Sequence, residues 1–202
     1  MSTRGFLGFV IDGVEKITYN HSDSYPRRLG RDVLSWAQAN QHALTCACDI
    51  HRCLSSGPVD RARTLRVVDP DSEPTDEDIE RLRYGLDLGV GIRRARPDWY
   101  QLLRRTQGDL AAMLAAGVIE DGSDFPADSL SAEWGYIVDL DRQVLEVYEG
   151  FQKAAHTAGR FAARTSSDAS PGYYPVRLVA SWPLSELPTP EEFIAEIGRD
   201  AS

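Results

Sequence analysis

Residues 3–22 read TRGFLGFVIDGVEKITYNHS, and their pattern decides the fold class. Two runs rich in β-branched and aromatic residues, 3–11 and 14–21, flank Asp12-Gly13. That dipeptide tolerates the two positive φ angles of a tight hairpin turn. The turn sets the register: Ile11 faces Val14, Phe9 faces Lys16, Leu7 faces Thr18, Gly5 faces Asn20 and Thr3 faces Ser22. The opposite face sets Gly8 against Ile17, Phe6 against Tyr19 and Arg4 against His21. Successive strand residues point to opposite sides of a sheet, and the first strand is apolar on both. It is therefore expected at the centre of a sheet that is covered on both faces.

Working outward, residues 31–54 show helical spacing through Val33, Leu34, Ala37, Leu44 and Ile50, and Ser55-Ser56-Gly57-Pro58 closes that helix. Residues 64–68 read as a short strand. Thr75 suits the N-cap of a helix whose first turn holds Asp76, Glu77 and Asp78, acids that favour a helix start. Residues 99–107 and 109–116 form a helical pair ended by Gly117. A second hairpin runs over 134–140 and 144–149 around Asp141-Arg142, and residues 163–172, rich in Ser, Ala and Gly, read as a loop. Residues 174–182 make a last strand, and Pro190 opens a helix over 190–197. Strands lie at both ends with helices between, and no repeat is present. This order predicts one α+β domain over residues 1–202, with a largely antiparallel β-sheet core and covering helices.

A chain of 202 residues with 42% hydrophobic and 26% charged residues is long and apolar enough to bury one core. The net charge of −9 argues against broad binding to nucleic acid or an anionic membrane. Charge is uneven: residues 69–80 hold seven acids and no base, and residues 81–105 hold seven arginines and two acids. Solvated helix faces beside an acidic loop account for that contrast. No stretch approaches the roughly 20 apolar residues of a membrane span, and the apolar run 6–11 is too short for a secretory signal. The three cysteines, Cys46, Cys48 and Cys53, are odd in number and crowded, unlike a secreted disulfide framework. A reduced, cytoplasmic protein is expected.

Chemistry has three candidate locations. Removal of Met1 would leave Ser2 with a free α-amine titrating near pH ~8, a general base for its own hydroxyl. Thr3 follows it, and Asn20 and Ser22 lie across the hairpin, where they would donate to an oxyanion or position a carbonyl. Ser2, Thr3 and Asn20 are thus the candidate catalytic set. In the run NHSDSYP, residues 20–26, His21, Asp23 and Tyr25 alternate, which in an extended segment aims them one way. With Arg4 and Ser22 they form a candidate binding wall, since His beside Asp is a common general base. The same run also reads as a strand-end turn in which Asp23 and Ser24 cap the backbone.

On one continuous helix, His42, Cys46, Asp49 and Cys53 would share a face. A single helix does not supply a tetrahedral shell, and paired Cys-x-x-Cys units are missing, so buried reduced cysteines and no metal are expected. The run GLDLGVG, residues 85–91, lacks the strand and spacing of a dinucleotide site, and Ser129 is not in a nucleophile elbow. No cofactor is expected. The Trp99-Tyr100 and Trp134-Tyr136 pairs read as core aromatics.

The stretches TRGFLGF, YNHSDSYPRRLG, DWYQLLRRTQGD, ADSLSAEWGYIVDLD, VLEVYEGFQ and YYPVRLVASWPL span nearly the whole chain. In them the sequence resembles a group of small actinobacterial and phage-associated proteins, a resemblance that implies no particular chemistry. A strand starting at Ser or Thr, an Asp-Gly turn and a return strand also resemble the opening of N-terminal nucleophile (Ntn) hydrolases. That likeness implies a sandwich of two antiparallel sheets between helical layers, and a cofactor-free amidohydrolase acting on a small amide through Ser2. The alternative is a non-catalytic module that binds a ligand or a phage, host or sister protein. A redox- or metal-responsive role for the three cysteines ranks third.

Overall fold

The Asp12-Gly13 turn has φ angles of +53° and +73°. It joins β1 (Gly5–Ile11) to β2 (Val14–Asn20), antiparallel, in the expected register from Ile11 opposite Val14 to Gly5 opposite Asn20. The computed structural model describes residues 3–46, 57–82 and 96–200. The second hairpin joins β5 (Trp134–Asp139) to β6 (Val144–Glu149), and β7 (Arg177–Pro183) pairs antiparallel with β6. Strand order is β2-β1-β5-β6-β7, and the two hairpins meet through a parallel pairing of β1 with β5, from Gly5 opposite Trp134 to Val10 opposite Asp139. The sheet is thus antiparallel at every junction but one. Asp141, in the second turn, clamps the first: its two oxygens accept from the backbone N–H groups of Asp12 and Gly13, each at 2.8 Å.

All seven residues of β1 are buried, as a central strand covered on both faces must be. Leu7, Phe9 and Ile11 face a helical layer of α1 (Arg31–Ala39), α3 (Pro58–Thr64), α6 (Leu110–Ala116) and α7 (Pro190–Asp200). Phe6 and Val10 face the other way and pack with Ile137, Tyr148, Phe161 and Val176. Among the described residues that second face is covered by irregular chain and not by a second large sheet. The other ladder among the described residues is two-stranded and parallel, β3 (Arg66–Val68) with β4 (Val118–Glu120). β4 has only three residues, too few for a sequence period to reveal.

Buried charge ties both layers to the sheet. On the helical face Lys16, 8% exposed, donates to the carbonyls of Ala62, Arg63 and Leu65 at 2.9, 2.6 and 2.8 Å. Its ammonium thereby caps the C-terminal end of α3. Burial pulls its pKa down, Asp12 pulls it up, and Arg63 pulls it down, for a net lowering. On the irregular face Arg160 bridges Asp139 and Glu146, which are 0% and 1% exposed, with its Nε 2.9 Å from Glu146 Oε2. The Tyr148 hydroxyl donates to the same Glu146 oxygen at 2.8 Å, and burial together with Glu146 raises its pKa.

The long helix expected over residues 31–54 is interrupted. Asn40 ends α1 by donating to the Trp36 carbonyl from both its backbone N–H, at 3.1 Å, and its Nδ2, at 2.8 Å. After α2 (Gln41–Thr45) the chain leaves helical geometry at Cys46, whose ψ is 111°. His42 and Cys46 therefore do not share one helix face, and Cys46 is disulfide-bonded where a reduced thiol was expected. Cys48, Asp49, Cys53 and the GLDLGVG run lie outside the described residues. Farther along, α4 (Asp76–Leu82) begins with the expected cap: Asp78 N–H donates to Thr75 Oγ1 at 3.2 Å. α5 (Trp99–Leu103) precedes α6, which ends at Gly117 with φ +66°. No described helix is long and apolar enough to cross a membrane.

Candidate functional site

The first hairpin ladder stops at Gly5 and Asn20, and the chain then turns. Ser24 N–H donates to the Thr3 carbonyl at 3.1 Å, so Thr3 meets Ser24 where strict continuation of the register would have brought Ser22. Asp23 has φ +57°, a left-handed conformation that Asp tolerates better than most residues. That one torsion cancels the alternation expected for His21, Asp23 and Tyr25, because the segment is a turn and not a strand.

Asn20 organises this turn. It is 5% exposed, and its Nδ2 donates to Ser22 O at 2.5 Å and Ser24 Oγ at 2.8 Å. Ser22 O is a carbonyl and can only accept, so the atom facing it must be the amide nitrogen. Asn20 therefore turns its Oδ1, an acceptor, toward Gly108, in place of the oxyanion donor expected from sequence. Ser24 is fully buried, and its carbonyl accepts from the Tyr136 hydroxyl at 2.9 Å. Tyr136 is wholly enclosed, and burial raises its pKa well above the ordinary value. A side chain at Gly5 would collide with the Trp134 carbonyl at 2.3 Å and Ser24 Cβ at 2.6 Å, so glycine is required where this turn closes on β1.

A single π-helical turn, Pro26–Gly30, follows and leads directly into α1. Between it and the α5–α6 link lies a cleft of about 260 Å³. Asn20, Ser22 and Asp23 form one wall. Arg28 and Leu29 come from the π turn, and Asp32 from the first turn of α1. The far wall is Arg104, Gln107 and Gly108. Two caps shape that link: Asp98 accepts from Gln101 N–H at 2.8 Å to start α5, and Asp109 accepts from Ala112 N–H at 3.0 Å to start α6. Gly108 between them has φ +74°. Among the described residues, the side chains of Asp23, Arg28, Asp32, Arg104 and Gln107 have no hydrogen-bond or ion-pair partner. The cleft thus offers two guanidiniums, two carboxylates and an amide carbonyl that the fold itself does not use.

The other expected residues go elsewhere. His21 is exposed, with Nδ1 3.2 Å from the Tyr19 hydroxyl, on the opposite face of β2 from Asn20. Arg4 is exposed, its backbone N–H 3.2 Å from Glu133 Oε1, and its charge is felt by Tyr19. Burial raises the Tyr19 pKa and Arg4 partly offsets it. Tyr25 is 40% exposed and does not line the cleft, and Ser2 lies outside the described residues. Sequence reasoning passed over Arg28, Asp32, Arg104 and Gln107. Their signal was faint: polar residues around a glycine in RRTQGD, and a Pro-initiated RRLGRD run next to the suspected turn.

No group of three or more His, Cys, Asp or Glu among the described residues is arranged to hold a metal ion. No protein-family model, curated protein or solved structure matches this chain.

Proposed function

We propose that the protein binds a small molecule carrying both an anionic and a cationic group, in the cleft between the Asn20–Ser24 turn and the α5–α6 link. What carries the reading is the unused charge of both signs in one concave place, Arg28 and Arg104 with Asp23 and Asp32. Guanidiniums match a carboxylate through two parallel hydrogen bonds. An ammonium needs acceptors, which Asp23, Asp32 and Asn20 Oδ1 supply. Binding sites of this kind combine a concave surface with a few convergent polar groups. The protein is a ligand-binding module on this reading.

Isothermal titration with free amino acids, beside acetate and methylamine as singly charged controls, tests the proposal. Saturable binding of the amino acids is expected, with weak or no response to the controls. Arg104→Ala and Asp32→Ala should each abolish it. Equal binding by the controls, or no loss in either variant, overturns the reading.

Hydrolysis of an amide by Ser2 is a second reading, favoured by the Thr3–Ser24 hydrogen bond, which holds the Thr3 backbone against the turn that walls the cleft. Intact mass decides its premise. A chain that keeps Met1 has no free Ser2 amine, and a Ser2→Ala variant that still hydrolyses amides ends the reading in any case.

A further inference from the structure

A second cavity of about 260 Å³ adjoins the charged cleft and shares Asp32 and Gly108 with it as common walls. Its character is different. Val33 and Leu110 form the floor and Trp36 a side, with Ser35 and Asp109 at the rim. Trp36 is half-buried, and its ring stands edge-on to core Phe9 with centroids 5.7 Å apart, so its orientation is set by packing. The indole N–H groups of Trp99 and Trp182 donate to Ser72 and Glu196, each at 3.0 Å. Trp36 Nε1 has no such partner among the described residues. Gly108 lines both cavities, and a Cβ there would stand 3.1 Å from Asn20 Oδ1 and 3.6 Å from Leu29 Cδ1, two walls of the charged cleft.

We infer that the two cavities are one bipartite site for an α-amino-acid-like ligand, whose charged head lies in the cleft and whose apolar side group lies against Trp36, Val33 and Leu110. The inference rests on the binding function proposed above and adds the ligand's class. A charged head alone leaves the second cavity wet, whereas an apolar side group covers the half-buried Trp36 ring, Val33 and Leu110 being 2% and 3% exposed already. An aromatic wall fixed by the core also gives up little side-chain entropy on binding.

Titration of the full chain with glycine, leucine and phenylalanine, followed by calorimetry and by tryptophan emission, tests this. Leucine and phenylalanine should bind at least tenfold tighter than glycine and shift the emission, and the shift should vanish in Trp36→Phe. Because Trp36 contacts the core, the exposed Ser35→Phe provides a second variant. It fills the annex from its rim and should remove the leucine advantage while glycine binding stays as it was. If the three ligands bind equally, the annex is overturned while the charged-head reading stands. If none binds, the charged-head reading itself falls. A leucine preference that survives Ser35→Phe and leaves tryptophan emission unchanged also overturns the inference, since the side group then lies elsewhere.

Discussion

Replacing Asn20 with alanine removes two hydrogen bonds, to Ser22 O and Ser24 Oγ, from a side chain that is only 5% exposed. Each such bond contributes about 1 kcal/mol net, and an orphaned buried hydroxyl costs about 1–3 kcal/mol more. Ser24 is fully buried, so its hydroxyl incurs that second cost, whereas Ser22 is exposed and its carbonyl can turn to water. The sum is about 3–5 kcal/mol. With a urea m-value of about 2 kcal/mol/M, the unfolding midpoint should fall by about 1.5–2.5 M. Asn20→Asp should be worse than Asn20→Ala, because it aims a carboxylate oxygen at the Ser22 carbonyl and buries a charge. Urea unfolding followed by circular dichroism measures all three chains. An Asn20→Ala midpoint within experimental error of the parent refutes the role given to this amide, as does an Asn20→Asp variant that is no less stable than Asn20→Ala.

Lys16→Met keeps the apolar stem but orphans the carbonyls capped by the ammonium; a loss of about 2–4 kcal/mol is expected in the same assay. Asp78 is 2% exposed; burial raises its pKa, but hydrogen bonds from Arg66 and Thr75 and the Arg66 charge outweigh this and hold it low. Its folded pKa lies below the unfolded one, so it stabilises the fold above about pH 4 and that contribution fades as the pH falls through the folded value. Asp78→Asn should therefore flatten the acid limb of the stability–pH curve, and a curve parallel to the parent's would count against the pairing. Gly108→Ala strains a residue at φ +74° and crowds Asn20 Oδ1, so ligand affinity and stability should both drop. With Cys46 in a disulfide, thiol titration of the denatured, unreduced chain should find one free thiol per molecule, and three would mean that the chain is kept reduced.

What the sequence disclosed was local. The Asp12-Gly13 turn and the alternation of its flanks are short-range signals, and the register they imply is the one the hairpin has. Asn20, Ser22 and Asp23 stood out because polar residues at a strand end are conspicuous, and they do line a cleft. The direction of their side chains was not legible, since one positive φ at Asp23 redirects the whole segment. Arg28, Asp32, Arg104 and Gln107 were beyond reach for a different reason. They belong to segments that meet only because α6 and α1 pack on the same sheet face, and no local pattern marks that meeting. The parallel pairing of β1 with β5 was hidden for the same reason.

That pairing has a consequence during biosynthesis. Gly5 and Trp134, like Asp12 and Asp141, are 129 residues apart. At about 5–20 residues per second, a ribosome needs roughly 6–26 s to deliver β5 after β1 has been made. Throughout that interval the hairpin that carries the wholly buried β1 has one long edge unpaired and Phe6, Leu7, Phe9 and Val10 without their final neighbours. An inner strand of the finished sheet is thus synthesised well before the parallel partner that encloses it, so the nascent chain, more than the folded protein, is where this molecule is exposed to aggregation and to chaperones.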